Sequence, residues 1–383
     1  MKKHLLSLLV ALVATVSSLP MAAQEAYAVF TEPNSTLTFY YDNLRSTRSG
    51  TSYDMPTKGA TPGWAGTKTA PYDKIKHAVF DVSFADYRPT FTYSWFQRCV
   101  NLQDIKDIRN LNTENVINMK YMFMSCSSLI SIDLTSFNTA NVTDMCGMFD
   151  NCSSLKSLDL TNFNTEKVTD MGSMFDNCSS LASLNLTNFN TAKVTDMSRM
   201  FCNCSSLKSL NLTNFNTANV TDMSNMFHDC SSLESLDLTN FNTANVKRII
   251  SMFHNCSSLT SLNLTNFNTA KVFRMSDMFN NCSSLTTIYC NDDWSGGKVK
   301  YHDHMFSNCL NLKGEGAAYD SSNIGIEMAN PTTGYFTTKT SGIDHVTATG
   351  KVGDGKIYDL SGRQVSKNYK GVVIMNGRKI LQR

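Results

Sequence analysis

The spacing of cysteine constrains this chain more than any other feature. Cys126, Cys152, Cys178, Cys204, Cys230, Cys256 and Cys282 lie 26 residues apart, and Cys99 and Cys309 flank them at 27. A fixed period of this length belongs to a coil built from stacked repeats. One unit reads L-x-S-L-(D/N)-L-T-N-F-N-T-x-x-V-T-D-M-x-x-M-F-x-N-C-S-S. Phe137, Phe163, Phe189, Phe215, Phe241 and Phe267 fill one aromatic slot, and Leu111 and Trp294 take it in the two 27-residue units. A second aromatic follows twelve residues later, from Phe123 and Phe149 to Phe306, and Phe84 and Phe96 keep the same interval. This gives about nine turns, the first and last degenerate. A single unit cannot bury its own apolar faces, so each must stack on its neighbours.

Two periodicities alternate within the unit. Leu155, Leu158 and Leu160 read L-x-x-L-x-L, whose second half alternates as a short strand does. Val142, Met145, Met148, Phe149 and Cys152 are spaced 3, 3, 1 and 3, which predicts one apolar face of a short helix or 3-10 turn capped by Thr143-Asp144. The predicted fold is an α/β-type solenoid of short parallel strands and short helical segments, with small β-rich caps at both ends.

L-x-x-L-x-L followed by an Asn-bearing corner resembles the leucine-rich repeat signature. The longer V-T-D-M-x-x-M-F-x-N-C-S-S-L string, over about residues 75–309, is similar to the 26-residue repeat of BspA-like leucine-rich repeat surface proteins. That resemblance implies a secreted or surface-exposed protein of adhesin type, and no particular ligand. Leucine-rich repeat proteins generally bind partners on their concave strand face.

The ends differ from the middle. Lys2, Lys3 and His4, the apolar run 5–16 and the small residues up to Ala23 predict an export signal over 1–23. Residues 24–74, with a strand expected over Thr36–Tyr41 and a loop through 50–66, predict an N-terminal cap on the 75–313 repeat region. Residues 314–340 are expected to cap the other end. In 341–383, the runs 356–360 and 371–375 predict strands, with Ser361-Gly362 and Asn376-Gly377 as turns. Ile357 to Arg363, Lys370 to Ile374 and Gly377 to Lys379 together resemble the C-terminal sorting tail of type IX secretion cargo in Bacteroidetes.

Composition excludes several functions. The 34 Lys+Arg against 32 Asp+Glu form no concentrated basic surface, so no nucleic-acid partner is expected. No apolar run after the N-terminus is long enough for a membrane-spanning helix. The ladder cysteines point in parallel directions, and a disulfide needs converging Cβ atoms, so free thiols acting as small buried hydrophobes are expected. Cys146 and Cys202 lie off the ladder, and Cys290 takes a core Leu slot. His302-Asp303-His304 does not share one helical face, Asp292-Asp293 reads as turn chemistry, and no catalytic or phosphate-loop motif occurs, so no metal, cofactor or catalytic site is expected. His228 and His254 share a slot in adjacent units and are expected to stack on the surface.

What remains is an exposed row on the strand side: Asp133, Lys156, Asp159, Asn185, Lys208, Asn211, Glu234, Asp237 and Asn263. An exported, non-enzymatic protein binding an extracellular protein or glycan there is the preferred expectation. A structural or spacer protein is the alternative, and a carbohydrate-active enzyme using the Asp rows comes third, since nothing in the repeat sets one carboxylate apart.

Overall fold

The computed structural model describes residues 23–67, 69–70, 72–296 and 299–339, and then 357–359, 364–366, 371–375 and 378–382. All but the last residue of the expected export signal lies outside these, as do the Ser361-Gly362 and Asn376-Gly377 turns. The chain divides into two compact units, Met1–Lys339 and Thr340–Arg383.

In the first unit, successive repeats stack in parallel. A backbone ladder runs from Phe91 through Asn118, Asp144, Asp170, Asp196, Asp222, Arg248 and Arg274 to Tyr301. Its rungs are the V-T-D positions of the repeat. On the Leu side, β-pairing beyond the first turns is confined to the later repeats: Ser209–Leu210 pairs with Ser235–Leu236, and Ser261–Asn263 pairs with Thr287–Tyr289. The side that carries the regular ladder is therefore the one expected to be helical.

The helix in that expectation is corrected, and single turns closed by bonds three residues back, as the 3-10 alternative implied, stand in its place. No α-helix occurs among the described residues, and the four 3-10 segments lie at the ends, at Arg45–Thr47, Val82–Asp86, Ile108–Asn110 and Ile326–Met328. From Met145 to Cys152 the N–H groups alternate in direction. Met145, Gly147, Phe149 and Asn151 donate to Asp170, Gly172, Met174 and Asp176 one rung on, at 2.6–3.1 Å. Met148, Asp150 and Cys152 instead donate back three residues, to Met145, Gly147 and Phe149. Left-handed backbone at Gly147 (φ 58°) and Asn151 (φ 58°) makes the alternation possible, and Ser173, Asn177, Arg199 and Asn203 repeat it. A helix would spend those N–H groups within the rung. So short a helix has little stability of its own, whereas the turn joins each rung to the next. The 3, 3, 1, 3 spacing did not discriminate, because three-residue turns share the period. The Asn before six of the nine ladder Cys was the available signal, since Asn tolerates left-handed backbone.

The core is a set of columns. Phe96, Phe123, Phe149, Phe175, Phe201, Phe227, Phe253, Phe279 and Phe306 stack with neighbouring centroids 5.5–5.9 Å apart. These spacings fit offset stacking. Phe163, Met171, Met174 and Cys178 are all buried, as the slot assignment requires. All twelve cysteines are unpaired thiols. Each ladder Sγ also donates to a carbonyl of the preceding rung, Cys152 to Phe123 and Cys178 to Phe149, at 3.1 and 3.2 Å.

The ends of this unit are covered. Strands β1 (Glu25–Thr31), β2 (Thr36–Asp42), β3 (Thr51–Asp54), β4 (His77–Phe80) and β5 (Asp104–Lys106) form one sheet in the order β3-β1-β2-β4-β5. β1 and β3, unexpected from the sequence, add antiparallel strands beside β2, while β2, β4 and β5 run parallel. Phe39 stacks on Phe80 at 4.5 Å, closing the first rung. At the other end Phe336–Thr337 pairs with Ile288 and Tyr289, and Tyr335 meets Phe306 edge-on at 5.2 Å. In the second unit Ile357–Asp359 pairs antiparallel with Gln364–Val365 and with Gly371–Met375, which pairs with Arg378–Gln382.

Candidate binding surface

The strand-side row is exposed as expected, apart from Asn263, which is half-buried. Its Asp and Asn members, however, have a local task. Asp133 Oδ1 accepts the Thr135 N–H at 3.0 Å and the Thr135 hydroxyl at 2.6 Å. Asp159 does the same with Thr161, Asn185 with Thr187, Asn211 with Thr213, Asp237 with Thr239 and Asn263 with Thr265. These Asx turns explain why Asp and Asn interchange: both supply the carbonyl-type acceptor. Thr hydroxyl and N–H donation holds the Asp133 and Asp159 carboxyls below their ordinary value, and for Asp237 the Thr239 N–H comes first. The side chains left free to meet a ligand are Lys156, Lys208 and Glu234. Their backbones are tied across rungs, Lys156 N–H to Ile130 O at 3.0 Å and Glu234 N–H to Lys208 O at 3.1 Å.

Three further polar columns brace the rungs, and the first two escaped the sequence reading although their residues recur in most units. Asn162, Asn188, Asn214 and Asn240 donate their amides to carbonyls of the preceding rung, as Asn188 does to Leu160 and Phe163. Thr139, Thr165, Thr191, Thr217 and Thr243, all buried, each hydrogen-bond both backbone groups of an Asn one rung on. Asp144, Asp170, Asp196 and Asp222 accept the N–H two residues ahead, which is the cap expected of Thr143-Asp144, here opening a turn. An i, i+2 acceptor pattern repeated at fixed sites was the missed signal.

The other residues singled out from the sequence form no site. His228 and His254 stack with centroids 4.6 Å apart but are half-buried, and His228 Nδ1 lies 3.0 Å from Asp229 Oδ2. Asp293 closes a turn onto Ser295. Among the described residues no group of three or more His, Cys, Asp or Glu is placed to hold a metal. Asp176 is buried and ion-paired to Arg199 at 2.6 Å. A shallow cleft of about 240 Å³ lies beside Arg109, Thr113, Glu114 and Asn138. That is below the usual volume of a small-molecule site.

Residues 90–208, 179–289 and 237–339 match the family described as "Mycoplasma protein of unknown function, DUF285". The chain belongs to this family. The DUF285 matches overlap and together span the stacked repeats, and the family's description names no activity. No curated protein matches. Similar solved structures include a leucine-rich repeat protein from Bacteroides ovatus ATCC 8483, 17% identical over 77% of this chain and 82% of that one, with a TM-score of 0.39. Another is a leucine rich cell surface protein from Faecalibacterium prausnitzii A2-165, 15% identical over 83% of this chain and 94% of that one, with a TM-score of 0.27. Among the described residues, no helix is long and apolar enough to cross a membrane.

Proposed function

We propose that this chain is an exported, non-enzymatic surface protein, a leucine-rich solenoid of about nine turns that binds an extracellular protein or glycan along its strand-side row. In this reading residues 1–23 direct export, the cap and repeat regions form the display body, and 341–383 serve as a sorting tail. The observation that carries the binding face is the division of labour in the row. Asp133, Asp159 and their equivalents close turns, while Lys156, Lys208 and Glu234 are exposed and belong to no ion pair among the described residues. Shallow, similar contributions from several rungs give modest, salt-sensitive association. The Asx turns also favour the alternative of a spacer without a ligand, because they give the Asp/Asn row a structural reason to recur.

An array of glycans and matrix proteins probed with the chain lacking residues 1–23 separates the two. A ligand whose affinity falls several-fold in Lys156→Glu/Lys208→Glu supports the binding face. Binding indifferent to that pair refutes the face, and silence across the array supports the spacer.

A further inference from the structure

A second surface lies along the backbone ladder, where the repeat abandons its own pattern. In four consecutive rungs the ladder reads Thr143-Asp144, Thr169-Asp170, Thr195-Asp196 and Thr221-Asp222, and each Asp closes a turn onto the N–H two residues on. The next three rungs read Lys247-Arg248, Phe273-Arg274 and Lys300-Tyr301. None of these six side chains can supply the carboxylate acceptor, so the framework loses a turn contact at each rung. The backbone nonetheless stays in register: Lys247 N–H donates to Thr221 O, Phe273 to Lys247 and Lys300 to Phe273, at 2.9–3.1 Å. Backbone register therefore does not call for the replacements.

What they create is an exposed basic and aromatic array. Phe273 and Tyr301 are 38% and 41% exposed, unusual for rings in this fold. The Arg274 guanidinium lies between them, 5.8 Å from the Phe273 centroid and 4.8 Å from that of Tyr301, and Lys300 Nζ stands 5.4 Å from the Tyr301 ring. Lys271 joins the same edge, its Nζ donating to Asn245 Oδ1 at 2.7 Å and entering no ion pair among the described residues. Among the described residues, Arg248 alone of these cations has an ion-pair partner, Asp222 at 2.7 Å. Asp277, which accepts the Asn280 amide, and Asp303 are the carboxylates within three residues of Arg274 and Tyr301.

We propose that this array is a binding site for an acidic polysaccharide, one bearing carboxylate or sulfate groups. Unpaired Lys and Arg side chains recognise such anions, Arg in the bidentate manner suited to both. Exposed rings offer apolar faces to sugar C–H surfaces. Parallel rungs about 4.8 Å apart repeat the contact along a chain, so a polymer engages several cations at once. A few unpaired cations on a chain with 34 Lys+Arg against 32 Asp+Glu fall short of the concentrated basic surface a nucleic acid needs, which favours a glycan over a single-stranded nucleic acid. This proposal is independent of the strand-side reading and stands on a different face.

The test compares the chain with Lys247→Thr/Arg274→Asp, which restores the residues the preceding rungs carry and so preserves the fold. Immobilised heparin is the sulfated and uronate-containing probe, hyaluronan the carboxylate-only probe, dextran the neutral control and oligo(dT) the nucleic-acid control. The expected result is salt-sensitive retention on heparin or hyaluronan, none on dextran, and at least a ten-fold loss in the double variant with unchanged thermal unfolding. Tyr301→Ala weakens binding several-fold at fixed salt, and Lys156→Glu/Lys208→Glu leaves it intact. Failure to bind either acidic glycan at low salt, equal binding by the consensus-restoring variant, or oligo(dT) held as tightly as heparin overturns the proposal.

Discussion

Replacing Thr191 by Val tests whether the buried hydroxyl column holds the rungs together. Thr191 is fully buried, its Oγ1 donating to Asn216 O at 2.9 Å and accepting the Asn216 N–H at 2.8 Å. Val has nearly the same shape and removes only the hydroxyl. If the column merely filled space, the added methyl would stabilise the chain by about 0.8 kcal/mol. If the bonds matter, two backbone groups of the next rung lose their partner at about 1–3 kcal/mol each when shielded from water. Because Asn216 is itself exposed, the net expected loss is about 1–4 kcal/mol. Thr191→Ser keeps the hydroxyl and serves as the control, losing only methyl packing. Thermal unfolding of both variants, with amide exchange at Asn216, gives the readout. A Val variant as stable as the parent, with Asn216 still protected, would refute the reasoning.

Two further outcomes follow from buried titratable groups. Burial, aided by repulsion from Asp176 and opposed by Arg199 and Arg98, raises Asp150 from 3.8 to about 7. The folded chain thus holds a proton that the unfolded chain releases, so stability falls as pH rises from about 4 to 7 and stays low above. Three units amount to about 4 kcal/mol as a ceiling, reduced to about 1–3 kcal/mol by solvent screening at this half-buried group. Asp150→Asn is expected to raise the unfolding temperature at pH 8 and leave it nearly unchanged at pH 4; equal shifts at both would count against this. Burial also raises the thiols, with Cys146 at about 11 and Cys152 at about 12. A thiol-specific reagent at neutral pH should label the half-buried Cys146 first and the ladder cysteines only after unfolding, which mass spectrometry of the labelled peptides checks.

The period of 26, the buried slots and the unpaired ladder cysteines were legible in the sequence, because each depends on a residue recurring in register with itself. Phe163, Met174 and Cys178 must lie inside wherever the backbone runs, since no unit could otherwise cover its neighbour. The exposed strand-side row was legible for the same reason. Tertiary structure decided the direction of the backbone hydrogen bonds. Met145, Met148 and Phe149 fit a helix as well as they fit a chain of three-residue turns. The choice rests on whether the N–H of Gly147 finds an acceptor within its own rung or at Gly172 in the next. Contacts between rungs also gave the polar residues their tasks: Asn188 and Thr191 look like solvated surface in one unit and become cross-braces only when the adjacent units are in place. The same stacking gathers Lys247, Phe273, Arg274 and Tyr301, spread over 55 residues of sequence, onto one edge. A repeat states what each position is, and its neighbour across the rung determines what that position does.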